Sequence, residues 1–176
     1  MRRFVFFLIT MILCTVCACN AEKSISQLTE SYRGDVIEGE VRLEYNGLAI
    51  KAELDLCGNS FAVKVTQPEE LAGMRITRTD GQITLEYLGM SVPFTSGEKL
   101  PVAQLVCVFD ALREGAQESF TVTKHGEGYS VSYGGGIPFT AELDENGMLK
   151  SAVFTAREQR INAIFENMAV TEDNTV

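Results

Sequence analysis

The chain has 176 residues, 45% of them hydrophobic and 22% charged, a globular composition that excludes a disordered chain and suits a single domain. Its formal net charge of -9, with no basic run, argues against nucleic acid as a partner, because phosphate contacts need clustered Lys and Arg. There is no Trp and one His, His125, which narrows the catalytic options.

The first element is a leader. Arg2 and Arg3 precede an apolar run over residues 4–16, broken only by Thr10 and Thr15. That length suits a signal peptide and is short for a membrane span of about 20 residues. Val16-Cys17-Ala18-Cys19 follows. An aliphatic residue, a tolerant position, a small residue and a Cys resemble the lipobox of bacterial lipoproteins. The resemblance implies that Cys19 carries a diacylglycerol and that cleavage falls just before it, although Cys17 stands where Ala, Ser or Thr is usual. Ordinary secretion with cleavage after Ala18 or Ala21 is the main rival, and an uncleaved anchor is a third reading; all three place the domain outside the cytoplasm. A metal site is disfavoured, since these cysteines lie in an apolar run with no His or second Cys pair at ligand spacing. The expected layout is a signal peptide at 1–18, a lipidated tether at 19–23, one domain at 24–170 and a frayed tail at 171–176, with the domain held at the extracytoplasmic face of a membrane. Of the remaining cysteines, Cys57 and Cys107, an oxidising compartment would allow pairing; the apolar setting of each favours two buried, unpaired thiols.

Ser24-Ile25-Ser26-Gln27 matches a capping box, and Ile25, Leu28 and Tyr32 follow at helical spacing, which predicts a short helix over 24–32 ended by Gly34. The period then changes to two. Alternation over 40–45, an Asn46-Gly47 turn and alternation through Leu48, Ile50, Ala52, Leu54 and Leu56 predict a hairpin. Phe61, Val63 and Val65 mark a third strand. Residues 68–73 read as one helical turn, with Pro at its start, two carboxylates near its N-terminus and Gly at its exit. Met74 and Ile76, an Asp80-Gly81 turn, then Ile83, Leu85 and Tyr87 predict another hairpin, and residues 89–94 extend the sheet past a bend. From Pro101, Val102, Leu105, Val106, Phe109 and Leu112 fall at helical spacing, and Gly115 stops the helix. Ala103, Cys107, Val108 and Ala111 make its other face apolar too, so burial on more than one side is expected. Strands resume at Phe120 and Val122, at Tyr129, Val131 and Tyr133, at Ile137, Phe139, Ala141 and Leu143, over 149–156 and over 161–168. About nine strands in near-continuous meander order predict an α+β fold: one large, curved antiparallel sheet, a half-barrel, wrapped around one or two helices.

This order of elements, with the stretch VKVTQPEELAGMRITRTDGQITLEYLGMSV at 63–92, resembles the lipoprotein-carrier fold of LolA, LolB, LppX and RseB-type proteins and the related lipoproteins of spore-forming Firmicutes. The resemblance covers about residues 25–168. It implies a LolA-like half-barrel without catalytic residues, binding acylated lipoproteins, lipids or partner proteins in its concavity.

The chemistry points the same way. His125 lies at a hairpin tip with no second His, and no Gly-x-Ser-x-Gly is present for nucleophilic catalysis. Gly134-Gly135-Gly136 lacks the Lys-Ser/Thr and the helix start of a phosphate loop. Glu69-Glu70 and Asp144-Glu145 sit in turns, and Asp144-Glu145-Asn146-Gly147 supplies too few oxygens for Ca²⁺. No enzyme activity, cofactor or metal is expected. The candidate lining for an apolar ligand is Phe61, Met74, Leu85, Tyr87, Met90, Leu105, Phe109, Phe120, Tyr129 and Phe139, each of which core packing would also explain. The alternative is an interaction protein that docks an envelope or spore-envelope enzyme.

Overall fold

The computed structural model describes residues 23–33, 36–94, 101–115, 117–156 and 159–171. The leader, Cys19 and the tail after Thr171 lie outside the described residues.

Eleven strands form one antiparallel sheet: β1 (Val36–Tyr45), β2 (Leu48–Cys57), β3 (Ser60–Gln67), β4 (Arg75–Thr79), β5 (Gln82–Tyr87), β6 (Met90–Phe94), β7 (Phe120–His125), β8 (Gly128–Tyr133), β9 (Phe139–Leu143), β10 (Leu149–Ala156) and β11 (Gln159–Thr171). Among the described residues the α-helices are α1 (Ile25–Leu28) and α2 (Pro101–Glu114). The expected curved, unclosed sheet around helices is the architecture found. The expectation of a near-continuous meander is corrected. The strand order is β6-β5-β4-β3-β2-β1-β11-β10-β9-β8-β7, so two meanders meet at the centre through β1 and β11, with α2 between them in sequence. The segment at 89–94 is a full hairpin strand rather than a continuation past a bend.

Turn chemistry explains the tight corners. Asn46-Gly47, Asp80-Gly81 and Leu88-Gly89 each place two residues at positive φ between paired strands, the geometry whose twist suits a two-residue hairpin. At the centre, the β1–β11 register slips between Glu38 and Glu40, and Asn167 adopts φ 55° there. The slip is a bulge that turns Met168 onto Gly39, where a larger residue would collide with it.

Alternation sends Ile37, Val41, Leu43, Ile50, Ala52, Leu54, Leu56, Phe61, Val63 and Val65 to the inner face, all buried. Helix α2 fills the middle of that face. Its Leu105, Val106, Val108, Phe109, Ala111 and Leu112 are buried, as its two-sided apolar pattern predicts. The Phe109 ring lies 6.1 Å from Phe61, 6.1 Å from Tyr32 and 5.8 Å from Phe165. Gly115, at φ 54°, ends the helix.

The N-terminal helix is shorter than predicted. One turn, α1, runs into a 3-10 turn at Glu30–Tyr32; between them Thr29 leaves helical backbone (φ -107°, ψ 14°) while its amide and hydroxyl both donate to the Ile25 carbonyl (2.9 and 2.8 Å). Ile25, Leu28 and Tyr32 are nevertheless buried. The Tyr32 hydroxyl accepts a hydrogen bond from the Leu149 amide (2.8 Å). Burial raises its pKa well above the usual phenol range, against the smaller lowering effect of that bond.

Candidate ligand-binding face

The inner face is mostly apolar, and α2 covers only the middle. One register row shows this. Leu54 faces Val63, Val63 faces Ile76, Ile76 faces Leu85 and Leu85 faces Val92. Leu54, Val63 and Ile76 are buried, Leu85 is half-buried and Val92 is 47% exposed. In the next row Tyr87 faces Met90, which is 62% exposed, and the half-buried Met74 packs at the border of the core. An apolar strip therefore emerges from the core and runs to the β6 edge. Tyr87 is tethered there by its hydroxyl, which donates to the Glu70 carbonyl.

The other end carries aromatic rings. Phe154, Phe139, Tyr133 and Phe120 stand opposite one another across β10, β9, β8 and β7. Ring centroids are 5.1 Å apart for Tyr133–Phe139 and 4.8 Å for Phe120–Tyr133. Phe154 and Phe139 are buried, while Tyr133 and Phe120 are partly buried.

The candidate lining therefore divides. Phe61, Leu105, Phe109, Tyr129 and Phe139 are buried in the core. Met74, Leu85, Tyr87 and Phe120 are half-buried at its two ends, and Met90 is exposed. The sequence reading missed Val92, Leu88 (80% exposed) and Phe154. Leu88 did carry a signal: it occupies the turn position that Asn46 and Asp80 hold in the equivalent hairpins.

A polar cluster joins β4 to α2 beside the strip. Arg78, in the row next to Ile76, pairs with Asp110, and its Nε donates to the Asn59 carbonyl (3.2 Å). Arg113 shares Asp110 (3.6 Å) and donates through Nε to the Tyr32 carbonyl (3.1 Å). Burial raises the pKa of the neighbouring Cys107 thiol, and Asp110 adds to this.

The cysteine expectation needs correction. Cys57 is exposed rather than buried, because it ends β2 on the outer face, out of step with the buried Leu56. Cys107 is half-buried on α2, on the other side of the sheet, and both thiols are free. His125 is exposed at the end of β7.

The outer face is polar. Glu38 stands opposite Asp55, and Glu40 stands between Glu53 and Glu166. A shallow hollow of about 410 Å³ lies over Glu38, Glu40, Glu53, Asp55, Lys64 and Arg75. Among the described residues no group of three His, Cys, Asp or Glu side chains is arranged to hold a metal ion. No described helix is long and apolar enough to cross a membrane.

No family model and no curated protein matches the sequence. Solved structures do match. A conserved protein from Thermus thermophilus is 12% identical with a TM-score of 0.52, over 84% of this chain and 86% of that one. A LolA superfamily protein from Nitrosomonas europaea is 9% identical with a TM-score of 0.48, over 84% and 92%. The Mycobacterium tuberculosis lipoprotein LppX is 13% identical with a TM-score of 0.44, over 85% and 96%. At these identities the likeness concerns the fold alone. The curved, unclosed half-barrel is the architecture that the resemblance to LolA-like proteins implies.

Proposed function

We propose that the chain is a lipid-anchored, extracytoplasmic, non-catalytic protein that holds an acyl chain, free or on a lipidated protein, against the inner face of its sheet. In this reading residues 1–18 are a leader, Cys19 carries the lipid, residues 19–23 are the tether and 24–170 form the binding domain. The observation that carries it is the row Leu54–Val63–Ile76–Leu85–Val92, which leaves the core and stays apolar while its exposure rises to 47% at Val92. A soluble domain gains nothing by wetting a continuous aliphatic strip, and such strips mark binding sites. The middle of the face is packed around Phe109, so the ligand lies at the β5–β6 end rather than in a central cavity.

The test is a fluorescent fatty acid titrated into the chain and into two variants. Val92→Glu puts a charge on the strip and should weaken binding at least tenfold, about 1.4 kcal/mol. Ile164→Glu changes a residue of similar exposure (39%) on the outer face and should leave binding unchanged. Equal binding by all three chains would refute the site. The anchor is tested separately: Cys19→Ala should move the chain from the membrane fraction to the soluble one.

A further inference from the structure

The two edges of the sheet differ in what they offer another strand. At β6 the turn Leu88-Gly89 makes Tyr87 and Met90 a bonded pair, and Leu85 with Val92 the next. The outward main-chain groups on residues 90–93 therefore belong to Ser91 and Pro93, and Pro93 has no N–H to give. At β7 the turn Gly126-Glu127 closes on His125 and Gly128. His125, Thr123 and Thr121 then bond inward to β8, while Val122 and Lys124 point N–H and C=O outward, and Phe120, whose N–H closes the 3-10 turn at Gln117–Ser119, offers its C=O. No proline interrupts them, and among the described residues no strand lies on that side of β7.

We infer that β7 pairs antiparallel with β7 of a second copy of this chain, about a two-fold axis at Val122. In that register Val122 meets its own counterpart through two bonds, and Phe120 meets the second copy's Lys124, whose N–H reaches the Phe120 C=O. The Lys124 stem then lies along the partner ring with its ammonium in solvent. On the outer face Thr121 meets the second copy's Thr123, a favourable β-branched and hydroxyl pair. Phe120 to His125 contains no carboxylate. The two Lys124 ammonium groups fall four residues apart, about 13 Å, beyond the screening length of about 8 Å at physiological salt. The carboxylates of β1, β2 and β11 begin four strands away, about 19 Å. Only Glu118 and the second copy's Glu127 come near each other, once at each end, so association should strengthen as salt screens them. The edge is short, so the dimer belongs to the weak, concentration-dependent class.

The test is sedimentation equilibrium of the full chain in dilute nonionic detergent, from about 10 μM to about 1 mM, the range in which small interfaces associate. The leader is common to all variants, so differences among them report β7. Thr121→Glu with Thr123→Glu sets like charges opposite each other at both crossings and should weaken the dimer about tenfold. Thr121→Glu with Thr123→Lys sets opposite charges there and should restore wild-type association or better. Both positions are exposed, and matching far-UV spectra would show the fold intact. A monomer throughout the range, or equal loss in both double variants, would overturn the pairing.

Discussion

Replacing Gly147 with Ala should cost far more than its place in an exposed-looking turn suggests. Gly147 has φ 89°, a region that costs an L residue about 1–2 kcal/mol. A Cβ there would also overlap the Leu28 carbonyl oxygen, and would lie 2.7 Å from the Leu28 carbonyl carbon and 3.1 Å from its Cα. These are backbone atoms that cannot rotate aside, so relief requires α1 to lift. Lifting uncovers Ile25, Leu28 and Tyr32, each worth about 1.5–3 kcal/mol when fully buried, and partial exposure of the three adds about 3 kcal/mol to the strain. The comparison is Gly47→Ala, where φ is 76° but nothing lies within 4 Å. That variant should lose only the conformational cost, about 1 kcal/mol. Urea denaturation followed by circular dichroism measures both, and amide exchange adds a local readout: the Leu149 N–H, bonded to the Tyr32 hydroxyl, should exchange faster in Gly147→Ala. If the two variants differ by less than about 0.5 kcal/mol, the contact between Leu28 and Gly147 is not in place.

Four further outcomes follow. Leu88→Asn should raise stability by about 1 kcal/mol, because Leu88 sits at φ 51° where Asn46 and Asp80 serve the other hairpins; an unchanged thermal midpoint would contradict this. Asp110→Ala should destabilise by about 1–2 kcal/mol, since Arg78 and Arg113 lose their shared carboxylate, and Asp110→Asn should recover part of that; equal stability of all three chains would deny the staple a role. Peptide mapping after alkylation should find Cys57 modified about tenfold faster than Cys107, and equally fast after unfolding. The raised Cys107 pKa also fixes a sign: the unfolded thiol releases its proton first, so stability should fall as pH rises above about 8.5, and Cys107→Ser should flatten that slope.

Local patterns carried much of the fold. The two-residue alternation of Leu48 to Leu56, the Asn-Gly and Asp-Gly turns and the two-sided apolar helix after Pro101 each have a physical reading that needs no distant partner. Pairing between β1 and β11 does not. Val41 and Phe165 face each other because of the whole sheet, and nothing near either residue says so. The same limit applies to Gly147, a recognisable turn residue whose real constraint is the carbonyl of Leu28. On the inner face, apolar side chains were identifiable as inward-facing, but core and open strip use the same residue types. Phe109 and Met90 differ in whether α2 reaches them, which is a matter of where the helix stops along the sheet.

The central pairing of β1 with β11 has a consequence for biogenesis. During synthesis β1 can fold back on β2 at once, through Asn46-Gly47, but its other side stays open until the last strand is made. Glu38 waits for Ala169, so the sheet cannot join its halves before β11 is available. Closure over such a distance is slow, and the first meander spends that interval as a sheet with an unfinished edge and an uncovered apolar face. A chain built this way is held back from its final form until β11 is made, which makes loss of residues near Ala169 a failure at the middle of the sheet rather than at its rim.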